Sequence, residues 1–401
     1  MSHKFANIHI LVSHSPSCLN RDDMNMQKEA VFGGVKRARI SSQCSKRADR
    51  FSEQYAALFG NDNRSTRTTL DTAGQLLKAL QDSGSKADPA ACEYIVKTLG
   101  MPKDKVVTPW INEEICCLAD ALCKVLQENK QQTSVLEQLS AANDEEGSED
   151  DEEKSGKKGK GPKLSKELSD LKKKIVKAIK DVDEGFLKSG ISSVDIALSG
   201  RMCAAKEQVL NNVEGAMSIA HAITTHAMNS EIDWFTAMND LSADADELGA
   251  GHLNTQEFGA GVFYQYASID IDLLAKNMGR GRKEALDVVS KWVYVMSTVT
   301  PTGKQRSFAS HSLAHYVMVT LSDLPLSMAN AFEKPVEKSR EGGYMKPSVK
   351  ALEDFWTKNH KAYGIGEDAA VFSIDKIELA EPSVKKFDAI KDLQAWIKEE
   401  E

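Results

Sequence analysis

The chain has 401 residues, of which 41% are apolar and 27% charged, and a formal net charge of -8. That is enough chain for two or three domains or one elaborated domain, and the composition excludes a wholly disordered chain, a collagen-like fibre and a disulfide-stapled miniprotein. The charge is uneven: eight carboxylates crowd into residues 144–153, while the first fifty residues hold nine Lys or Arg against four acids, a local sign that suits a polyanion.

No run reaches the ~18–20 apolar residues of a membrane-spanning helix. The opening MSHKFANIHILVSHSPS has one lysine and a short, interrupted apolar stretch, so it reads as a strand rather than a signal peptide, and a cytoplasmic location is expected. Residues 5–13 alternate, with Ile8, Ile10 and Val12 on one face and His9 and Leu11 on the other, as in a strand covered on both sides. A polar loop follows, and its Gly-Gly pair and basic residues suggest an irregular strand near 36–40. Ser41 or Ser42 then caps a helix, SSQCSKRADRFSEQYAALF, with Cys44, Ala48, Phe51 and Tyr55 along one face.

Residues 66–190 read mostly as helices, interrupted at 131–163 by a low-complexity stretch with no apolar period, expected to be a mobile loop or linker. The seven cysteines form no C-x-x-C pair, which argues against a disulfide framework and a structural zinc site. Cys116, Cys117 and Cys123 read as small buried apolar residues of one helix. Beyond residue 192, SSVDIALSGRM reads as strand then turn and GAMSIAHAITTHAMN as further β structure. Residues 228–258 form an exposed excursion with Trp234, Phe235, Met238, Leu241, Leu248 and Leu253 among polar residues: a hairpin tip that wedges, docks or folds back on its own core. GVFYQYASIDIDLL is an alternating strand, GRKEALDVVSKWVYVMSTV an amphipathic helix and YVMVTLSDLP a strand. Strand–helix–strand occurring twice is the order of a ferredoxin-like or RRM-like sheet, so the fold class is α+β.

Candidate chemistry concentrates between Arg21 and Arg50. Arg37 and Arg39 alternate on the expected strand, and Gln43, Lys46, Arg47 and Arg50 open the helix, Lys46 and Arg50 on one face. The unpaired N–H groups after Ser41 and the positive helix end suit phosphate. The plain alternative is a solvated basic helix. Lys304 and Arg306, in a Gly-bearing basic loop, make a second candidate phosphate contact or a charged surface turn. His311 and His315 stand at i,i+4 as in a zinc-protease helix, but residue 312 is Ser where the general base would be, and no third ligand follows at a fixed offset. They read as structural, and His221 and His226 as core or RNA-adjacent. No phosphate-binding loop or nucleophile elbow is present, so no metal and no catalytic set is assigned. A nuclease built around Asp22 and Asp23 is the rival reading.

Longer segments carry a resemblance. NIHILVSHSPSCLNRDDMNMQKEAVFGG, RARISSQCSKRA, VDIALSGRM, GAMSIAHAITTH, EIDWFTAMNDL, HLNTQEFGAGVFYQYA and LSMANAFEKPV, in this order, closely resemble the backbone subunit of Cascade, the type I-E CRISPR surveillance complex (the CasC family). The resemblance spans nearly the whole chain except about 131–170, the charged insertion being a departure from the family pattern. It implies an RRM-like palm (1–60, 191–227 and, with C-terminal elements, 259–401), helical fingers (61–190) carrying the insertion 131–163, and a β-hairpin thumb (228–258). It implies a non-catalytic protein without cofactors, copies of which queue head to tail along one CRISPR guide RNA and meet target DNA through that guide. The implied partners are the large, small and foot subunits and the guide-processing endoribonuclease, with no membrane. Arg21, Lys28, Gln43, Lys46 and Arg50 would hold the guide backbone. Local charge adds Lys36, Arg37, Arg39, Ser41, Arg47, Lys304 and Arg306 to the candidate RNA contacts. Met202 and Thr236 would flank a kinked nucleotide, with Phe235 and Leu253 near it and Trp234 on the same hairpin. Contacts confined to phosphate and 2′-OH would serve any spacer, leaving sequence to base pairing. The alternative is an RNA-processing or target-cutting nuclease.

Overall fold

The computed structural model describes residues 3–60, 64–67, 109–110, 193–202, 212–237, 252–375, 381 and 383–399, with isolated helical positions between 117 and 185. The expected fingers helices and the 131–163 insertion fall largely or wholly outside these residues. Cys117 is described and is exposed, against the expectation of a buried position. The chain divides into two compact units, residues 1–61, 216–275 and 281–401 in one and 62–215 with 276–280 in the other.

In chain order the described strands are β1 (Phe5–Ser17), β2 (Glu29–Phe32), β3 (Val35–Ile40), β4 (Thr66–Arg67), β5 (Pro109–Trp110), β6 (Met217–Ile219), β7 (Ala222–Thr224), β8 (Glu231–Ala237), β9 (His252–Asp270), β10 (Tyr316–Ser322), β11 (Glu367–Ser373) and β12 (Lys385–Phe387). The helices with described bounds are α1 (Ser42–Arg50), α2 (Glu53–Phe59), α3 (Val194–Ser199), α4 (Ile271–Met278), α5 (Arg282–Thr298), α6 (Gln305–Phe308), α7 (Met345–Tyr363) and α8 (Ile390–Glu399).

The first unit is built on a ten-stranded sheet. Its centre is β10-β1-β9-β7, with every neighbour antiparallel. Setting the flanking hairpins aside, that is fourth, first, third and second in chain order, the RRM-like (ferredoxin-like) arrangement of an α+β protein. β6 continues the β7 edge along β9, β11 and β12 extend the sheet beyond β10, and β3 and β2 extend it beyond β7. β1 is buried on both faces as its alternation requires: Ile8, Ile10, His9 and Leu11 are all 0% exposed. Leu11 joins Tyr264, Tyr316, Met318, Leu352 and Trp356 in one core under α7, each large apolar side chain contributing about 1.5–3 kcal/mol by burial. The Tyr264 hydroxyl accepts the Met328 N–H (3.0 Å) and shares a hydrogen bond with His9 Nδ1 (2.9 Å). Burial brings His9 down to about 4, so it is neutral in the core.

Three local expectations are corrected. The helix expected over 41–59 is two: Ser52 takes an extended conformation (φ -78°, ψ 153°), ends α1 and caps α2 by accepting the Tyr55 N–H. VDIALS is helix α3, not a strand, capped by Ser193 and stopped by Gly200 at φ 78°. Its residues 194–198 are all buried, so apolar alternation carried no information there. Residues 311–315 are not helical, so the i,i+4 histidines do not share a helix face. In the second unit, β4 and β5 pair with each other, and Asp195 of α3 accepts the hydroxyl of Ser65.

Candidate nucleic-acid interface

The basic segment folds as a closed loop, a hairpin and a helix. In the loop, Asp22 Oδ1 accepts the N–H groups of Met24 and Met26 (both 2.9 Å), and Arg21 donates to Asn25 Oδ1 (2.8 Å). This turn holds Arg21 exposed and uses the Asp22 carboxylate internally. On α1, Gln43, Lys46, Arg47 and Arg50 recur at i, i+3, i+4 and i+7, a single stripe. Gln43 and Arg47 are exposed and Lys46 half-buried, whereas Arg50 is buried. Asp49, on the same helix, is buried and pushed up to about 8 by desolvation, so it is protonated at neutral pH and does not cancel the stripe.

The α1 N-terminus differs from expectation. Ser41 is buried, and its hydroxyl accepts the Cys44 N–H (3.2 Å) while His221 Nδ1 accepts the Ser42 N–H (3.1 Å). These two N–H groups are satisfied within the chain, and Ser41 is a cap. His221 is therefore neutral, with Nδ1 as acceptor; burial, then Arg39 and Lys28, lower its pKa. Arg39, half-buried, lies 3.3 Å from the same Nδ1.

Arg37 does not belong to the surface. It is 0% exposed and donates from Nε to Phe32 O (3.2 Å), from Nη1 to Thr224 O (2.9 Å) and from Nη2 to Phe332 O (2.8 Å). It clasps the β2–β3 hairpin to β7 and to the segment at 332, and that saturation removes it from the candidate phosphate contacts. Gly33 (φ 62°) lets the hairpin turn approach Glu333, whose carbonyl a Cβ would strike. Lys36 is exposed and paired with Glu29 Oε2 at 2.8 Å, which raises its pKa.

Arg21, Arg47 and Arg306 line one open cleft of about 1060 Å³ with Leu19, Phe51 and Leu313. Its walls meet where Gly303 lies against Leu19: a Cβ there would stand 2.4 Å from the Leu19 carbonyl oxygen. Lys304 is half-buried and starts α6 in a left-handed conformation (φ 53°); Arg306 is exposed. Phe51, placed by helical spacing on one face with Cys44, Ala48 and Tyr55, is 51% exposed because the helix ends there.

The hairpin is formed by β8 and residues 252–258 of β9, with Trp234 opposite Thr255, Phe235 opposite Asn254 and Thr236 opposite Leu253. Trp234 is 65% and Ile232 59% exposed. The side chains of Phe235, Thr236 and Leu253 lie outside the described residues. In the second unit, Met202 is 74% exposed, next to Arg201, whose backbone exchanges both hydrogen bonds with Val213. Among the described residues no three His, Cys, Asp or Glu side chains are placed to hold a metal ion, and no helix is long and apolar enough to cross a membrane.

The fold and this surface together define an RRM-like α+β protein with a cationic helix face beside a mixed apolar and basic cleft. The chain belongs to the CT1975-like protein family, which it matches over residues 6–399. Its structure is similar to a chain of a "CRISPR RNA-guided surveillance complex, pre-nicking" at 25% identity, with a TM-score of 0.72 over 98% of this chain and 100% of the other. A chain of another "CRISPR RNA-guided surveillance complex" shares the fold at 21% identity, with a TM-score of 0.57 over 98% and 99% of the two chains. No curated protein sequence matches this one.

Proposed function

We propose that this protein is a non-catalytic backbone subunit of a Cascade-type CRISPR surveillance complex, of type I-E, and that it binds guide RNA. The observation that carries the reading is the α1 stripe, with Gln43 and Arg47 exposed and Lys46 half-buried between them. Such a row, two cations and an amide, grips phosphate and ribose without reading bases. Arg21, Lys28, Arg39, Lys304 and Arg306 extend the grip, Lys36 contributes a charge shared with Glu29, and Arg50 supports the stripe from below. Met202 and Thr236 flank a kinked nucleotide, with Trp234, Phe235 and Leu253 on the hairpin beside it. A short apolar wedge such as Met202 suits unstacking at one step, at a cost of a few kcal/mol. Copies queue head to tail, a heterologous contact that need not close, with the large, small, foot and guide-processing subunits completing the particle. Target DNA is read by pairing with the presented guide. Family membership and the likeness to surveillance-complex chains support this reading.

The test is to co-express the chain with a CRISPR array and sister subunits, purify it and sequence the bound RNA. Array-derived transcripts carrying several copies of the chain are expected, with labelled RNA and DNA left intact with or without Mg²⁺. Protein that is free of short transcripts and stays monomeric when offered them would overturn the proposal.

A further inference from the structure

Phe51 has no evident use in a grip on phosphate. It is an exposed aromatic ring at the end of α1, with the Arg47 guanidinium carbon 4.7 Å and the Arg50 guanidinium carbon 5.6 Å from its centroid. It lines the cleft of about 1060 Å³, across which lie Leu19, Leu313 (60% exposed) and Arg306. A phosphate gains nothing from a wall of leucine and phenylalanine. A base does: it has an apolar face to cover, and both aromatic rings and guanidinium planes stack on it. The charge keeps the right sign, since Arg21, Arg47 and Arg306 face the space against two acids, Glu53 and Asp22, and the Asp22 carboxylate accepts from its own loop. Arg47 is thus held against an aromatic ring at the cleft wall before any ligand arrives, so little side-chain freedom is lost on stacking.

We propose that this cleft is a stacking site for one unpaired base of single-stranded RNA, the base layering on Arg47 and Phe51 and covered by Leu313, while Arg21 and Arg306 hold the flanking phosphates. The site rests on the reading that the chain binds RNA, and deepens it: along with the backbone grip, one nucleotide per copy is held by its face, whatever its identity.

The experiment uses the full chain and short single-stranded RNAs carrying 2-aminopurine, or an abasic residue, at one position at a time. Quenching at one position in the bound register is expected, and an abasic residue there lowers affinity about tenfold. Phe51→Ala should relieve the quenching and lower affinity for intact RNA about tenfold, yet leave affinity for the abasic RNA and the salt dependence unchanged. Phe51→Tyr should restore quenching, which excludes a folding defect. If wild-type protein binds none of these RNAs, the RNA-binding reading falls and this site with it. If RNA binds but Phe51→Ala changes neither quenching nor the abasic comparison, the base site alone is overturned. It is also overturned if Phe51→Ala releases sister subunits while RNA binding and quenching stay intact, for then the cleft docks protein.

Discussion

The two ends of β9 share one backbone and differ in everything else. From Gly261 to Asp270 the strand lies between β1 and the β6–β7 edge, and Val262, Phe263, Tyr264, Tyr266, Ala267 and Ile269 are buried. From His252 to Phe258 it pairs with β8, whose Ile232 and Trp234 stand exposed. A two-stranded ribbon is marginal by itself in water. This one is anchored because β9 runs on into the sheet, Glu257 accepts the Gln27 N–H (3.1 Å), and Phe258 packs on Phe308 at 5.5 Å. The sheet end supplies stability; the hairpin end is free to carry side chains chosen for what they touch.

That division is tested most severely on the sheet side by Arg37→Ala. Removing a buried guanidinium strands carbonyls on Phe32, Thr224 and Phe332 and opens a cavity, so a loss of about 3–5 kcal/mol is expected from urea unfolding. RNA bound per folded molecule should be unchanged. A normal unfolding midpoint with weakened RNA binding would return Arg37 to the interface.

The contrasting substitution is Lys46→Ala with Arg47→Ala. Stability should stay within about 0.5 kcal/mol, as for surface changes generally. Affinity for unrelated single-stranded RNAs should fall together by about tenfold or more at physiological salt, and the slope of log affinity against log salt should shrink by about 1.4, the share of two phosphates. A loss confined to one sequence, or an unchanged slope, would break the phosphate assignment.

Arg37 and Arg39 also mark how far the sequence could be read. They stand two apart on β3, and period-two reasoning treats them alike. Their fates diverge because the segment at 332 bonds to one and His221 lies beside the other, partners brought in from far along the chain. The same limit hid His221 as the acceptor for α1, and Phe51, whose exposure depends on Ser52 ending the helix one residue later. β1, the α+β fold class and the cationic stripe were legible, because each follows from local alternation, the chain order of elements or helical spacing. The α3 helix had its signals, Ser193 and Gly200, but a fully buried short element shows no face to the solvent and so no period.

Asp49 couples stability to RNA binding through pH. In the folded chain it keeps its proton up to about 8, whereas an unfolded chain loses it near 3.8. Between those values the folded state binds the extra proton, so this group makes stability decline as pH rises through that window. Ionisation near pH 8 also places a negative charge beneath the stripe and should weaken RNA binding by a few-fold. Asp49→Asn should flatten the stability profile between about 4 and 8, read by thermal unfolding, and the RNA-binding profile between 7 and 9, read by RNA titration. Profiles identical to wild type would show that Asp49 is already ionised at neutral pH.

The smallest effect on stability belongs to Trp234→Ala. The ring is 65% exposed and its register partner Thr255 is half-buried, so truncation removes little packing, and the melting temperature should move by no more than about 0.5 kcal/mol allows. If the hairpin end works outward, the loss appears only between copies. Sedimentation of the protein with a long single-stranded RNA should show fewer copies per RNA, while binding of one copy to a short RNA is unchanged. A destabilised monomer with normal multi-copy loading would mean that the tryptophan belongs to its own core and that β9 is one structural element throughout.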